Sequence, residues 1–493
     1  MTLCVSKTYT REIRLLMNHH TRDLLTLGIG KVLQVLIGLV TLRLITEMLS
    51  EEQVGIYYLL LTVVSLLAFG FFNPLGQFYG RHLIHWQQTH NLKTATNVML
   101  MFRGLAIPFA LMLAILLFYV FDYQKYFTAS EYIAFILIAL IALIHGVLLN
   151  ATNVLISRVA FTIYVVLTLA IGLGVSVLFM QISQTAMAWI YGLALTQIMF
   201  SFILYRLIVK GQAFSITKLK SALKPNYIKS VFFFILPVTI TLFLQWGQTA
   251  SFRLVVEDLY TVQILAFIAV GMAISGAIFS ALESLATQFY MPLYLKKITN
   301  ATKQERTQAW NELADIMLPI YIAVTIYVIV FAPYLAKLLV AEKFFEAYIY
   351  AMIGAIIELL RVTTNLIYMV SQSEVKTKNT ITPYLFGFLI MIVGLYSIDV
   401  SDALWKVPVI LAVSYLVTLS IMTFNMKKLL EIQINLWFSI KTILLMSPIF
   451  IVYFASIDPT IINAIIFLIL GGGYLLGVQY FLLKSKIQKM SAI

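Results

Sequence analysis

Residues 27–45 read LGIGKVLQVLIGLVTLRLI. As a helix rising 1.5 Å per residue, a run of this length crosses most of the ~30 Å hydrocarbon layer of a bilayer. Runs of this kind recur along the chain, and their recurrence restricts the fold more than any other feature. In hydrocarbon every backbone N–H and C=O must be satisfied internally, which leaves helices packed on helices. Fourteen spans are predicted, near 24–46, 54–77, 98–121, 132–154, 159–182, 186–208, 230–251, 261–287, 314–340, 346–370, 381–398, 404–424, 441–457 and 461–483. The expected fold class is therefore an all-α polytopic membrane protein with about 14 transmembrane helices. Composition agrees, since 61% of the 493 residues are hydrophobic and only 11% are charged, too few to clothe a soluble domain of this size.

The N-terminal MTLCVSKTYTREIRLLMNHHTRD is polar and basic and has no apolar stretch of its own. It does not read as a cleavable signal, so the first span is expected to act as an uncleaved anchor. The single cysteine, Cys4, excludes an internal disulfide and a cysteine-rich metal site.

The net charge of +13 raises the question of nucleic acid. The distribution of the charge answers it. With the N-terminus inside, cytoplasmic segments hold about 24 of the 34 Lys and Arg, among them Lys218, Lys220, Lys224, Lys229, Lys296, Lys297, Lys303, Lys427, Lys428 and Lys484. The opposite loops carry Glu51, Glu52, Asp122, Asp258, Glu346, Asp399 and Asp402, with few cations. This is the positive-inside pattern, and it accounts for the charge without nucleic acid. It predicts a multi-pass membrane protein with both termini cytoplasmic. Outside loops are short, which disfavours a membrane polymerase or glycosyltransferase carrying catalytic acids there. The longest soluble segments are inside, at about 209–229 and 290–313.

The first six span starts recur in the next six at a near-constant offset, which suggests two halves. Six is even, so both halves enter from the same side, as in a parallel repeat about an axis along the membrane normal with a central cavity. The predicted organisation is a cytoplasmic N-terminal segment 1–23, an N-terminal six-helix bundle 24–208, a basic cytoplasmic linker 209–229 and a C-terminal six-helix bundle 230–424. Two additional helices and a cytoplasmic tail follow at 425–493.

Polar residues fall on stripes at helical spacing. Gly28, Lys31, Gln34, Gly38 and Thr41 share a face of span 1, and Lys31 lies about ten ångströms in from the cytoplasmic end. Arg43 lies off that face near the other end, where a long side chain snorkels to the interface. Span 4 carries Gly146, Asn150, Asn153 and Ser157. Span 7 carries Pro237, Thr241, Gln245 and Gln248. Span 8 carries Gly276, Ser280, Glu283 and Thr287, and span 10 carries Gly354, Glu358, Arg361 and Asn365. Such stripes also fit helix–helix seams, and Glu358–Arg361 at i,i+3 also fits a structural ion pair.

Within the spans, Lys31, Arg103, Arg361 and Lys337 outnumber Glu283 and Glu358. A cation-lined cavity suits an anionic substrate, with Arg and Lys as phosphate partners. The candidate substrate-binding cations are therefore Lys31, Arg361, Arg103 and Lys337. The candidate polar lining is Gln34, Asn150, Asn153, Gln245, Gln248 and Asn365. Glu283 and Glu358 are candidates for proton or Na⁺ coupling. For Arg103, and for Arg206 at the end of span 6, snorkelling is the competing reading. No GxxxxGK[ST] phosphate loop occurs, so no intrinsic ATPase is expected, and the histidines show no HExxH spacing that would point to a metal. No catalytic residue and no resident cofactor are expected. Prolines in or near spans, Pro74, Pro108, Pro237, Pro292, Pro319 and Pro333, permit kinks.

Residues 47–86 read EMLSEEQVGIYYLLLTVVSLLAFGFFNPLGQFYGRHLIHW. With Arg43, the positions Leu49, Ser50, Gln53, Gly55 and Tyr57, and then Asn73–Gln77 with Arg81, this stretch resembles the first two spans of the polysaccharide-export flippases. These form the O-antigen (Wzx-type) branch of the multidrug/oligosaccharidyl-lipid/polysaccharide (MOP) exporter superfamily. The rest of the chain agrees in span count and halves.

The resemblance implies two six-helix bundles plus two terminal helices. The implied function is a flippase that moves undecaprenyl-pyrophosphate-linked oligosaccharide, an O-antigen or related repeat unit, from the cytoplasmic to the periplasmic leaflet. It implies alternating access through a cationic cavity, with Lys31 and Arg361 the best positional matches for its cations. A polysaccharide polymerase and a chain-length regulator are the implied partners beside the lipid-linked glycan and the bilayer. The chain departs from the lipid II flippase branch, whose first span carries a G-F-x-R-D element where this one reads GIGKVLQ. It also lacks the first-span acid of many multidrug antiporters in the superfamily. A cation-coupled multidrug antiporter is the alternative reading, and it would want a cavity dominated by carboxylates.

Overall fold

A computed structural model describes residues 26–221, 224–374, 376–397, 399, 403–454 and 457–491. The predicted segment 1–23 lies outside these residues, as does the side chain of Thr287. Fifteen helices are used below: α1 (Thr26–Met48), α2 (Glu51–Gln88), α3 (Leu92–Val120), α4 (Ala129–Leu155), α5 (Arg158–Ile182), α6 (Ala186–Val209) and α7 (Pro225–Thr249). They continue with α8 (Phe252–Leu259), α9 (Val262–Ile298), α10 (Lys303–Leu339), α11 (Tyr348–Ser373), α12 (Ile381–Ser397), α13 (Lys406–Lys427), α14 (Leu436–Met446) and α15 (Ile461–Ser491). No strand occurs among the described residues. Thirteen helices there are long and apolar enough to cross a membrane. The protein is a multi-pass, all-helical membrane protein.

The thirteenth predicted span takes a different form. Helix α14 passes without a gap into a tight turn Ser447–Phe450 and a last turn Ile451–Phe454, so no single helix there reaches spanning length. Pro448 explains the change, because it has no N–H to donate and its ring crowds the preceding turn. The predicted soluble segment 290–313 is also largely helical. Helix α9 runs on to Ile298, and α10 starts at Lys303 with a capping box in which Thr302 and Glu305 bond reciprocally. Asn300, at φ 57°, makes the left-handed turn between them. Helix α2 passes through a π turn, Ala68–Phe72, and then runs on to Gln88, well past the predicted end of span 2, and α4 is interrupted at Leu143.

By its contacts the chain forms two compact units. The first takes the described residues to Thr41 and Leu67–Thr239, and the second takes Leu42–Leu66 and Ile240 onward. Both crossings outside α1 fall beside a helix irregularity, the π turn with Pro74 in α2 and Pro237 in α7. In the first unit Tyr79, Leu83, Met99, Leu148, Leu204 and Ile208 form a buried cluster. Helices α5 and α6 come close at Gly192, where an added Cβ would lie 2.4 Å from the Ser176 backbone, and Ser176 Oγ donates to the Trp189 carbonyl at 2.8 Å. In the second unit Trp310, Phe279, Phe331 and Phe344 are buried. Lipid tails are as apolar as leucine, so contact between such helices depends on small residues and interhelical hydrogen bonds.

Candidate functional site

Helices α9 and α11 of the second unit run parallel at close approach. A Cβ on Gly271 would meet the Ala347 carbonyl at 2.3 Å, and one on Gly354 would meet Ser275 Oγ at 2.4 Å. Two turns further along both helices this tight seam opens onto charge. Arg361 Nη2 lies 2.6 Å from Glu283 Oε2 and 2.7 Å from Glu358 Oε2, and Arg361 Nε donates to Glu358 Oε2 at 2.8 Å. Asn365 Nδ2 donates to the other oxygen of Glu283 at 2.8 Å. Gly276 leaves room beside Glu358, whose Oε1 would sit 3.8 Å from a Cβ there.

The three charged side chains are 16–24% exposed, so water neither hides nor fully solvates them. One guanidinium against two carboxylates gives the group a formal charge of −1. A cavity of about 190 Å³ adjoins it, lined by Glu283, Asn365, Tyr290, Tyr321, Met317 and Gln372 among others. Both carboxylates predicted for ion coupling, one predicted cation and one predicted amide are thus a single hydrogen-bonded group within one unit. The helix pair at i,i+3 was legible from sequence; its third member, Glu283, was not.

The other predicted residues are placed as follows. Lys31 is half-buried in the first unit and donates to Gln34 Oε1 at 3.0 Å. It has no carboxylate partner among the described residues. Asn150 and Asn153 are exposed on the last turns of α4. Gln245 is half-buried on α7.

Three expectations change. Arg103 does not snorkel. It is 2% exposed, lies over the Phe72 ring at 5.3 Å and donates from Nη2 to the Phe72 carbonyl at 3.2 Å, at the end of the π turn. Its place is inside the first unit, where it braces an irregular turn. Lys337 faces Glu342 at 2.6 Å in the last turn of α10, an ion pair at a helix end whose acid is 74% exposed. Gln248 is fully buried, with Nε2 donating to Ser414 Oγ at 2.9 Å and Thr418 Oγ1 at 2.8 Å. It knits α7 to α13 beneath Gly387, so the seam reading of that stripe residue holds.

Sequence reasoning missed a further role for Arg43. It pairs with Glu47 at 3.0 Å and donates to the carbonyls of Lys337 and Val340, closing the C-terminal end of α10. Neither the distance in sequence, near three hundred residues, nor its position at a span end signalled that contact.

The sequence matches no family model and no curated protein. Solved structures do match. The lipid II flippase MurJ in an inward closed conformation is similar over 95% of this chain and 100% of its own, with TM-score 0.67 and 11% identity. This chain has its fold. A multidrug resistance MATE family transporter of the MOP superfamily, inward-facing, is similar over 86% of this chain and 99% of its own, with TM-score 0.55 and 11% identity. The chain thus shares the fold of these two transporters over most of its length.

Proposed function

We propose that this protein is a transporter of the MOP type that flips a polyprenyl-pyrophosphate-linked oligosaccharide from the cytoplasmic to the outer leaflet of the bacterial inner membrane. The observation that carries the reading is the whole-length likeness to a lipid-linked flippase. It takes in 95% of the chain, whereas the likeness to the drug transporter stops at 86%. The first-span sequence GIGKVLQ, without the G-F-x-R-D element, points away from a peptidoglycan precursor, and the resemblance of residues 43–86 to the polysaccharide-export flippases favours a surface-polysaccharide repeat unit such as O-antigen.

In this reading Lys31 takes the pyrophosphate. It is an ammonium inside a span with only the Gln34 amide as partner among the described residues, so its remaining donors suit an anion. Asn150 and Asn153, exposed on α4, are suited to sugar hydroxyls. Arg361 has a different part. Its guanidinium is engaged by Glu283 and Glu358, and binding phosphate there would require it to exchange partners. We assign the Glu283–Arg361–Glu358 group to the coupling cation, proton or Na⁺, because its formal charge is −1 and a cavity reaches Glu283. Uptake of one cation brings the group to neutrality and weakens the hold of the carboxylates on Arg361.

The test is transport by the purified protein in liposomes. A polyprenyl-pyrophosphate oligosaccharide bearing a fluorophore on the sugar is placed in the membrane, and a membrane-impermeant quencher reports which leaflet holds it. Protein-dependent exchange of the labelled lipid, absent for Lys31→Gln, supports the proposal. No exchange, together with protein-dependent movement of a lipophilic cation such as ethidium, overturns it in favour of a multidrug antiporter.

A further inference from the structure

The first unit carries a second cavity, of about 340 Å³, formed by α3, α4 and α6. Its walls are apolar, from Leu100, Ile141, Leu148, Ile198 and Phe202, and its lining also takes in Tyr205 and Arg206 in the last turns of α6. Phe202 is 69% exposed and Ile141 is 40% exposed, so the groove opens on the surface of the unit rather than in its interior. Leu148, which lines it, belongs to the buried cluster, so one wall of the groove is backed by packed side chains.

The polar end is built. Tyr205 donates from its hydroxyl to Asn97 Oδ1 at 3.1 Å, which ties the end of α6 to the first turns of α3. Asn97 Nδ2 in turn donates to the Lys93 carbonyl at 3.0 Å. Several arginines of the chain are neutralised by carboxylates. Arg361 meets two carboxylates and Arg43 meets Glu47, while Arg306 forms a two-point pair with Glu374. Among the described residues Arg206 makes no ion pair. The charge pattern of the loops assigns this end of α6 to the cytoplasmic face.

We propose that this groove is a binding site for one anionic glycerophospholipid of the bilayer, with an acyl chain along the apolar walls and the phosphate on Arg206. A planar guanidinium binds phosphate in two-point fashion. Basic pockets between transmembrane helices on the cytoplasmic side are suited to anionic headgroups. The occupant is a bulk lipid rather than the transported one because the groove lies on the surface of a single unit and Arg206 alone among its lining residues is charged, one guanidinium for one phosphate. A site of this kind would anchor the α3–α6 end in the inner leaflet and make the protein depend on anionic lipid. The inference does not rest on the proposed transport function.

The experiment uses the full chain, purified in detergent and examined by native mass spectrometry after addition of phosphatidylglycerol or phosphatidylcholine of matched chains. The wild type should retain one phosphatidylglycerol in preference to phosphatidylcholine. Arg206→Gln should lower that preference about fivefold, the effect of one basic residue near a phosphate surface. Arg206→Lys should keep part of it. Ser201→Trp, which fills the groove and leaves the charge, should reduce binding of both lipids. Equal retention of the two lipids by the wild type would overturn the proposal. So would an undiminished preference in Arg206→Gln, or a co-purified polyprenyl pyrophosphate that competes with phosphatidylglycerol for this site.

Discussion

Replacing Arg361 by glutamine tests whether the charged group of the second unit is a unit. In the native protein both carboxylates lie within 2.7 Å of Arg361 Nη2, so their nearest oxygens are within about 5 Å of each other. Without the guanidinium these two negative charges face one another. At an effective dielectric constant of about 20 their repulsion is about 3 kcal/mol, in line with the ~3–5 kcal/mol cost of removing one partner from a buried ion pair. Adding Glu358→Gln to Arg361→Gln removes one of the two charges and returns the formal charge to the native −1. The double variant should therefore be more stable than Arg361→Gln alone by about 3 kcal/mol, and the two single losses should not add, because each of them already includes the lost Arg361–Glu358 attraction. The assay is unfolding of the purified protein in mixed micelles, followed by tryptophan fluorescence, for the wild type, both single variants and the double. If the double variant loses as much as the two single losses added, the three side chains act independently and the assignment of one coupling site to them fails.

Three further outcomes follow from other contacts. Lys31→Gln should abolish transport with the protein still present in the membrane, and Lys31→Arg should retain a substantial part; equal activity of wild type and Lys31→Gln would remove Lys31 from the substrate path. Gly354→Val should lower the apparent melting temperature, since a Cβ already meets Ser275 Oγ at 2.4 Å and overpacking of this kind costs ~1–3 kcal/mol, while Gly28→Ala, with open space at that position, should leave it unchanged. Gln248→Leu should destabilise by ~1–3 kcal/mol through the loss of its bonds to Ser414 and Thr418, yet leave substrate affinity intact; a changed affinity with native stability would return Gln248 to the substrate path.

The spans were legible because hydrocarbon thickness imposes a length, and twenty apolar residues are a signal no neighbouring helix can rewrite. The charged group was half legible. Glu358 and Arg361 stand on one helix face, and helical spacing alone brings them together. Glu283 joins them only because glycines at 271 and 354 let α9 and α11 run side by side, and a glycine stripe does not say which helix it admits. The polar stripes were ambiguous for a physical reason. A seam and a cavity wall both need small and polar residues on one face, so Gln248 in its seam and Asn150 on an exposed face looked alike. Arg103 was misread because depth along a span says nothing about rotation toward a carbonyl, and the π turn that presents the Phe72 carbonyl has no signature of its own. The interrupted α14 was foreshadowed by Pro448, which a hydropathy window counts as only mildly polar.

The most direct test of the central claim asks where lipid-linked glycan accumulates when the gene is deleted. Polyprenyl-linked glycans are extracted from the deletion strain and quantified by mass spectrometry, with surface polysaccharide stained in parallel. Accumulated single repeat units on polyprenyl pyrophosphate, together with missing surface polymer, are the predicted result and would identify the substrate. Normal lipid-linked glycans and normal surface polymer, with raised sensitivity to cationic drugs, would contradict the flippase account.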